Sequence, residues 1–137
     1  MRVSRLILSG AAIGTIIGTG RADLNSTHVL NPAWTPHARF HSAAGWGTVS
    51  GCQLLALWLL WRPDQQPSDR DTAVTIAAAL SAVAWLPFFP ALAVPGADVE
   101  DEPGHLGRVG GVPVNLVAAT LIPATSALGY VLHRRGR

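Results

Sequence analysis

Apolar residues gather into four blocks along this chain, at about residues 6–20, 43–61, 72–94 and 112–132. Each block can form a helix that crosses a hydrocarbon layer of about 30 Å, although the first is only just long enough. Polar, proline-rich or charged connections separate the blocks, so no irregular backbone has to lie at membrane depth. The pattern predicts an all-α fold, an integral membrane four-helix bundle with residues 1–137 in a single domain. The expected helices cover about residues 4–21, 36–61, 71–94 and 111–133.

The composition supports a membrane protein. Hydrophobic residues make up 49% of the chain and charged residues only 13%, which is outside the usual balance of soluble domains. The basic residues are all arginine, and they lie between apolar blocks without forming a stripe with interleaved aromatics. That arrangement argues against nucleic acid as a partner. The single cysteine, Cys52, lies within an apolar block and is expected to pack rather than react.

Glycines recur at intervals of four in the first two blocks. Gly10, Gly14 and Gly18 share one face of the first helix, and Gly47 and Gly51 repeat the spacing in the second. Because glycine lets a neighbouring backbone approach closely, we expect these faces to lie at contacts between helices. A chance pattern in a chain rich in glycine and alanine is the alternative.

The arginines predict the orientation of the helices. The termini and the second connection together carry Arg2, Arg5, Arg62, Arg70, Arg134, Arg135 and Arg137. Only Arg21, Arg39 and Arg108 fall on the other side, so the positive-inside rule favours a multi-pass protein of the cell membrane with cytoplasmic N and C termini. A cleaved signal peptide is the alternative for the first block, but no convincing small-x-small site precedes Arg21.

The first outward connection is the densest polar segment of the chain. Thr35 and Pro36 form the pair expected at a helix N-cap and first helical position, so the second helix should begin at Pro36. His37 and His41 then share one helix face, where they are candidate acid, base or metal-ligand groups. Ordinary interfacial histidines that bond headgroups and water remain the alternative. The candidate ligand-binding residues nearby are His28, Asn31, Trp34 and Arg39.

The second outward connection, residues 98–108, is acidic and lies on the same side of the membrane. His105 and His28 are candidates to complete a metal shell around His37 and His41. A solvated loop is the simpler interpretation of the charge run. Asn115 is a polar residue near the outer end of the fourth helix, so it is a further ligand-binding candidate and is expected to hydrogen-bond across the bundle.

The segment Thr27-His28-x-x-Asn31-Pro32-x-Trp34-x-Pro36-His37-Ala38-Arg39-Phe40-His41 resembles an uncharacterised family of short four-span membrane proteins from bacteria and fungi. The resemblance implies the architecture but no activity. The layout is also faintly similar to the sterol-isomerase and sigma-2-receptor superfamily, whose members bind sterol-like ligands. Every carboxylate of this chain is expected in a connection outside the apolar blocks, so no residue carries over from that superfamily.

Two functions remain open at this point. In the first, titratable groups meet at the outer interface beneath proline-kinked helices and bind a lipid-like small molecule or a metal. In the second, the chain is a noncatalytic accessory or assembly subunit whose histidine motif is structural. The sequence contains no high-specificity catalytic signature. It therefore does not indicate whether the protein is an enzyme or whether it binds a cofactor. The expected partner is the lipid bilayer, and a homo-oligomer stays open.

Overall fold

The computed structural model describes residues 2–63, 66–100 and 107–136. Its elements are α1 (Arg2–Asp23), α2 (Pro36–Trp61), α3 (Pro67–Trp85), α4 (Phe88–Ala91), β1 (Arg108–Val109), β2 (Val112–Pro113) and α5 (Val114–Arg135). Four helical spans, the third of which includes α4, are long and apolar enough to cross a membrane. This confirms the predicted all-α membrane fold, to which the structure adds one short antiparallel hairpin.

The four long helices pack in a closed ring, in which α1 and α3 each contact both α2 and α5. Small side chains and a few larger ones, among them Leu8, Leu60 and Val74, fill the centre. Many large apolar side chains point outward instead, including Ile13 and Leu121. Such a surface would be an aggregation liability in water, whereas in a bilayer it is the surface that lipid covers.

Buried hydrogen bonds between helices hold the ring in register. Gln53 of α2 is fully buried, and its side-chain amide donates to the carbonyl of Leu80 on α3 at 3.3 Å. Its oxygen accepts from the Ser81 hydroxyl at 3.0 Å. Near the C-terminal end of α2, the indole N–H of Trp61 donates to the Ser9 hydroxyl at 2.8 Å, which joins α2 to α1. Each bond pairs a polar group that would otherwise face hydrocarbon.

The glycine prediction is wrong. An added Cβ atom at Gly10, Gly14, Gly18, Gly47 or Gly51 would meet no atom of another described helix within 4 Å, so these glycines do not mark the contacts among the described helices. The close approach between α1 and α5 occurs at Gly129, where a Cβ atom would lie 2.9 Å from Leu8 Cγ and 3.3 Å from Ile7 Cγ2. The spacing showed which glycines share a helix face, but it did not show which face turns towards the other helices.

Gly129→Ala is therefore expected to lower the free energy of unfolding by about 1–3 kcal/mol, since the added methyl group overpacks against the buried Leu8 side chain. The matched control is Gly14→Ala, where the methyl group enters open space. That control should be neutral or slightly stabilising, because alanine favours the helix by up to about 1 kcal/mol. Unfolding in detergent compares the two, and equal effects would contradict the close approach at Gly129.

Helix α3 ends early, at Trp85, rather than near residue 94 as the hydropathy indicated. Pro87 has no N–H group and cannot continue the ladder of helix hydrogen bonds. The chain then makes the single turn of α4 and folds back towards Val99. The hairpin turn at Gly110 and Gly111 follows, with φ of 58° and 81°, which favours glycine at both positions. The early end of α3 leaves space between the last turns of α1 and the first turns of α5.

Candidate functional site

A cavity of about 520 Å³ occupies the space beside the end of α3. Its walls come from the last turns of α1, the segment from Trp85 to Val99, the first turns of α5 and one residue of the first connection. The lining residues are Gly18, Thr19, Ala22, Asp23, His28, Trp85, Pro87, Phe88, Ala91, Leu92, Ala97, Asp98, Val99, Val114, Asn115 and Ala118. Most of this surface is apolar, and a few polar groups converge on it.

Trp85 forms the fixed apolar side of the cavity. The ring is only 4% exposed, and its N–H donates to the Thr15 hydroxyl of α1 at 2.9 Å. That hydroxyl in turn donates to the carbonyl of Ala11, so the indole has a single hydrogen-bonded orientation. Phe88 continues the aromatic wall, with its ring centre 5.2 Å from that of Trp85. Trp85 is thus a core residue.

His28 lies on the polar side of the cavity, held by a chain of hydrogen bonds. The Asn25 side-chain NH₂ donates to the carbonyls of Arg21 and Ala22, which fixes its oxygen towards Thr27. The Thr27 hydroxyl donates to that oxygen at 2.7 Å. His28 Nδ1, 2.8 Å from the same hydroxyl, must then be the donor in their contact. His28 therefore carries a proton on Nδ1.

Asp23 is the last residue of α1 and lines the cavity beside His28. The expectation that every carboxylate lies in a connection is therefore wrong, because α1 runs to Asp23 and α3 contains Asp71. The side chain is half-buried, and no described side chain hydrogen-bonds to its carboxylate. A half-buried carboxylate at this position can accept hydrogen bonds from a molecule bound in the cavity.

Asn115, Asp98 and Val99 also line the cavity. The Asn115 NH₂ group donates to the carbonyl of Val99 at 3.0 Å. The expected hydrogen bond to another helix is therefore replaced by a bond to the connection before the hairpin. Glu100 forms an ion pair with Arg108 of the hairpin. The hydrogen bond and negative charge of Glu100 raise the pKa of Arg108 above its ordinary value. Together these contacts tie residues 98–100 to the hairpin and to the first turn of α5.

The predicted site residues do not form one cluster. His28 and Asn115 line the cavity, while the Trp34 ring packs 5.0 Å from the His28 ring. Asn31 instead donates to the carbonyl of Thr27 within the connection. The remaining candidates, Arg39, His37 and His41, are on α2 and do not line the cavity.

His105 lies outside the described residues. In the described part of the chain, no three His, Cys, Asp or Glu side chains are placed to hold one metal ion. His28 therefore does not join His37 and His41 in a common shell.

Sequence reasoning missed Asp23 and Trp85. A signal for Asp23 was present, since Thr15, Thr19 and Asp23 follow one another at intervals of four along α1 and share a face. Thr15 is fully buried, so that polar face points into the protein. The position of Trp85 depends on where α3 ends, which the hydropathy pattern does not reveal.

Comparison with known proteins gives a family but no activity. No curated protein and no solved structure matches the chain. A family of unknown function, DUF6640, matches residues 7–137, which is nearly the whole chain. The protein belongs to this family of unknown function, DUF6640.

Proposed function

We propose that this protein is a small integral membrane protein whose outer cavity binds a lipid-like molecule with a polar end. The observation that carries the proposal is the cavity itself, whose apolar and aromatic lining also includes the polar residues Asp23, His28 and Asn115. Ligand sites commonly enclose about 300–1,000 Å³ and combine apolar walls with a few polar groups, and 520 Å³ lies within that range. The polar end would lie against Asp23 and His28, and the apolar part against Trp85.

The charge of the lining favours one kind of polar end. Asp23 and Asp98 both line the cavity, whereas no arginine is among the described lining residues. A carboxylate accepts hydrogen bonds and attracts positive charge, and the faces of Trp85 and Phe88 also attract cations. A long-chain amine therefore fits this lining better than a long-chain carboxylate does.

The proposed orientation places both termini in the cytoplasm and the cavity at the outer face of the cell membrane. Of the described arginines, Arg2, Arg5, Arg62, Arg70, Arg134 and Arg135 lie at the end of the bundle where the chain begins and ends. Those near the cavity end are Arg21, Arg39 and Arg108. This distribution supports the orientation through the positive-inside rule.

Photo-crosslinking in lipid vesicles tests the cavity. A photoactivatable long-chain amine should label peptides that contain Asp23 or Trp85, and a matched long-chain carboxylate should label them less. Asp23→Asn should reduce labelling by the amine about tenfold or more, since a hydrogen bond to a charged group contributes about 1.5–3 kcal/mol. Ala118→Trp, which fills the cavity from α5, should reduce labelling by both probes.

The matched control is Asp69→Asn, an exposed carboxylate in the first turn of α3 at the opposite end of the bundle. It should leave labelling unchanged. Labelling spread over the outward faces of the helices, and equal in wild type and Ala118→Trp, would show that the probe reports only on the surrounding lipid. That result would overturn the cavity as a binding site.

A noncatalytic accessory or assembly role is the second candidate. It is favoured by the first connection, whose polar groups mostly satisfy one another. Asn25 bonds the end of α1, Asn31 bonds Thr27, and the Thr35 hydroxyl accepts from the Ala38 N–H at 3.2 Å. In this role the segment serves to join α1 to α2. A folded protein with no specific cavity labelling in the same experiment would favour it.

A further inference from the structure

His37 and His41 bring two ring nitrogens together at the outer end of α2. Their Nε2 atoms lie 3.1 Å apart, and the rings are nearly perpendicular, at 84°. The first turn of α2 fixes this spacing, since Thr35 caps the helix and Pro36 follows in its first position. The pair is therefore set on a rigid element rather than on a loop.

The separation of 3.1 Å matches two ligands of one metal ion. Zinc–nitrogen bonds of about 2.0–2.1 Å at a tetrahedral angle place two nitrogens about 3.3 Å apart. At a right angle, as in octahedral coordination, the same bonds give about 2.9 Å. The observed distance lies between these values, so the two nitrogens already have the separation that a shared metal ion requires.

Both rings are exposed, which leaves room for an ion and for its remaining ligands. The Phe40 ring packs against His41, with ring centres 5.5 Å apart, and limits its movement on one side. The described residues offer no third His, Cys, Asp or Glu ligand. Two imidazoles would therefore hold the ion, and water would fill the other positions.

We propose that His37 and His41 form a two-histidine chelating site for a divalent transition-metal ion such as Zn²⁺. The site is separate from the cavity, which neither histidine lines. In the metal-free pair one Nε2–H donates to the other Nε2. On binding, that ring carries its proton on Nδ1 instead, and both Nε2 lone pairs face the ion. Two histidines four residues apart on a helix are a known zinc-binding arrangement.

Isothermal titration of Zn²⁺ into the full-length protein in detergent tests this site. Wild type should bind one equivalent, and the midpoint of thermal unfolding should rise with Zn²⁺ concentration. His37→Ala and His41→Ala should each weaken binding about tenfold or more, because each removes half of the protein ligands. Both side chains are exposed, so neither change should disturb folding.

The matched control is the double variant His41→Ala/Ser42→His, which keeps the number of histidines but turns the second imidazole away from the first by about 100°. It should bind as weakly as His41→Ala. If it binds like wild type, or if wild type binds no Zn²⁺, the chelating site is overturned. His28→Ala should leave the affinity unchanged, and a loss there would place the metal at the cavity instead.

Discussion

Trp85→Ala is expected to lower the free energy of unfolding by about 3–5 kcal/mol, the range typical of a buried tryptophan replaced by alanine. The ring is 4% exposed and packs at the junction of α3 with α1. Its removal would enlarge the neighbouring cavity and leave the space without protein atoms to fill it. The loss of stability would come mainly from lost van der Waals packing, because the hydrophobic effect contributes little to helix association within lipid. Reversible unfolding of the detergent-solubilised protein measures the change.

Trp58→Ala is the matched control for this prediction. Trp58 is 56% exposed on α2, and the guanidinium of Arg62 lies over its ring, 5.3 Å from the ring centre. An exposed contact of that kind contributes about 0.5–1 kcal/mol. Trp85→Phe keeps an aromatic ring but removes the N–H group. It should lower the free energy of unfolding by about 0.5–1.5 kcal/mol through the lost hydrogen bond to Thr15. Equal losses at the two tryptophans would contradict the structural role of Trp85.

His133→Ala is expected to lower the free energy of unfolding by about 2–3 kcal/mol, through lost packing and a lost charge-assisted hydrogen bond. His133 is only 2% exposed near the end of α5, and its Nε2 lies 2.7 Å from a carboxylate oxygen of Asp71 on α3. Its other nitrogen, Nδ1, has no hydrogen-bond partner within the described residues. The carboxylate therefore links the ring to α3 near the C-terminal end of α5.

A double-mutant cycle with Asp71→Ala isolates this contact, because alanine removes the oxygen that lies against His133. If His133 and Asp71 act as a pair, the double variant should be less destabilised than the sum of the single variants by about 1 kcal/mol or more. Arg134→Ala, an exposed neighbour on α5, is the control and should change stability little. Additive effects at His133 and Asp71, within about 0.5 kcal/mol, would show that the contact contributes nothing specific.

The helices could be predicted from the sequence because each apolar block is longer than a strand or a core helix needs. The start of α2 also followed from local chemistry, since Thr35 accepts the capping bond that its position before Pro36 indicates. The inward faces could not be predicted. In water the apolar face turns inward, but in a bilayer the outward face is apolar too, so periodicity alone does not separate Gly14 from Gly129.

The candidate site was only partly predictable for a related reason. His28 and Asn115 stood out as polar groups beside apolar blocks, and both line the cavity. The cavity itself exists because α3 stops at Trp85 and the chain folds back, which brings distant segments together. A proline signals that a helix can break, but the direction of the chain beyond it depends on tertiary contacts such as that between Asn115 and Val99.

The unequal lengths of α2 and α3 bear on how a ligand would reach the cavity. With 26 residues α2 is about 39 Å long, whereas α3 has 19 residues and is about 28 Å long, close to the hydrocarbon thickness. A cavity beside the end of α3 would then open at the boundary between acyl chains and headgroups. Occupancy would follow the mole fraction of ligand dissolved in the leaflet, so dilution with more lipid should empty the site even when the aqueous concentration is unchanged.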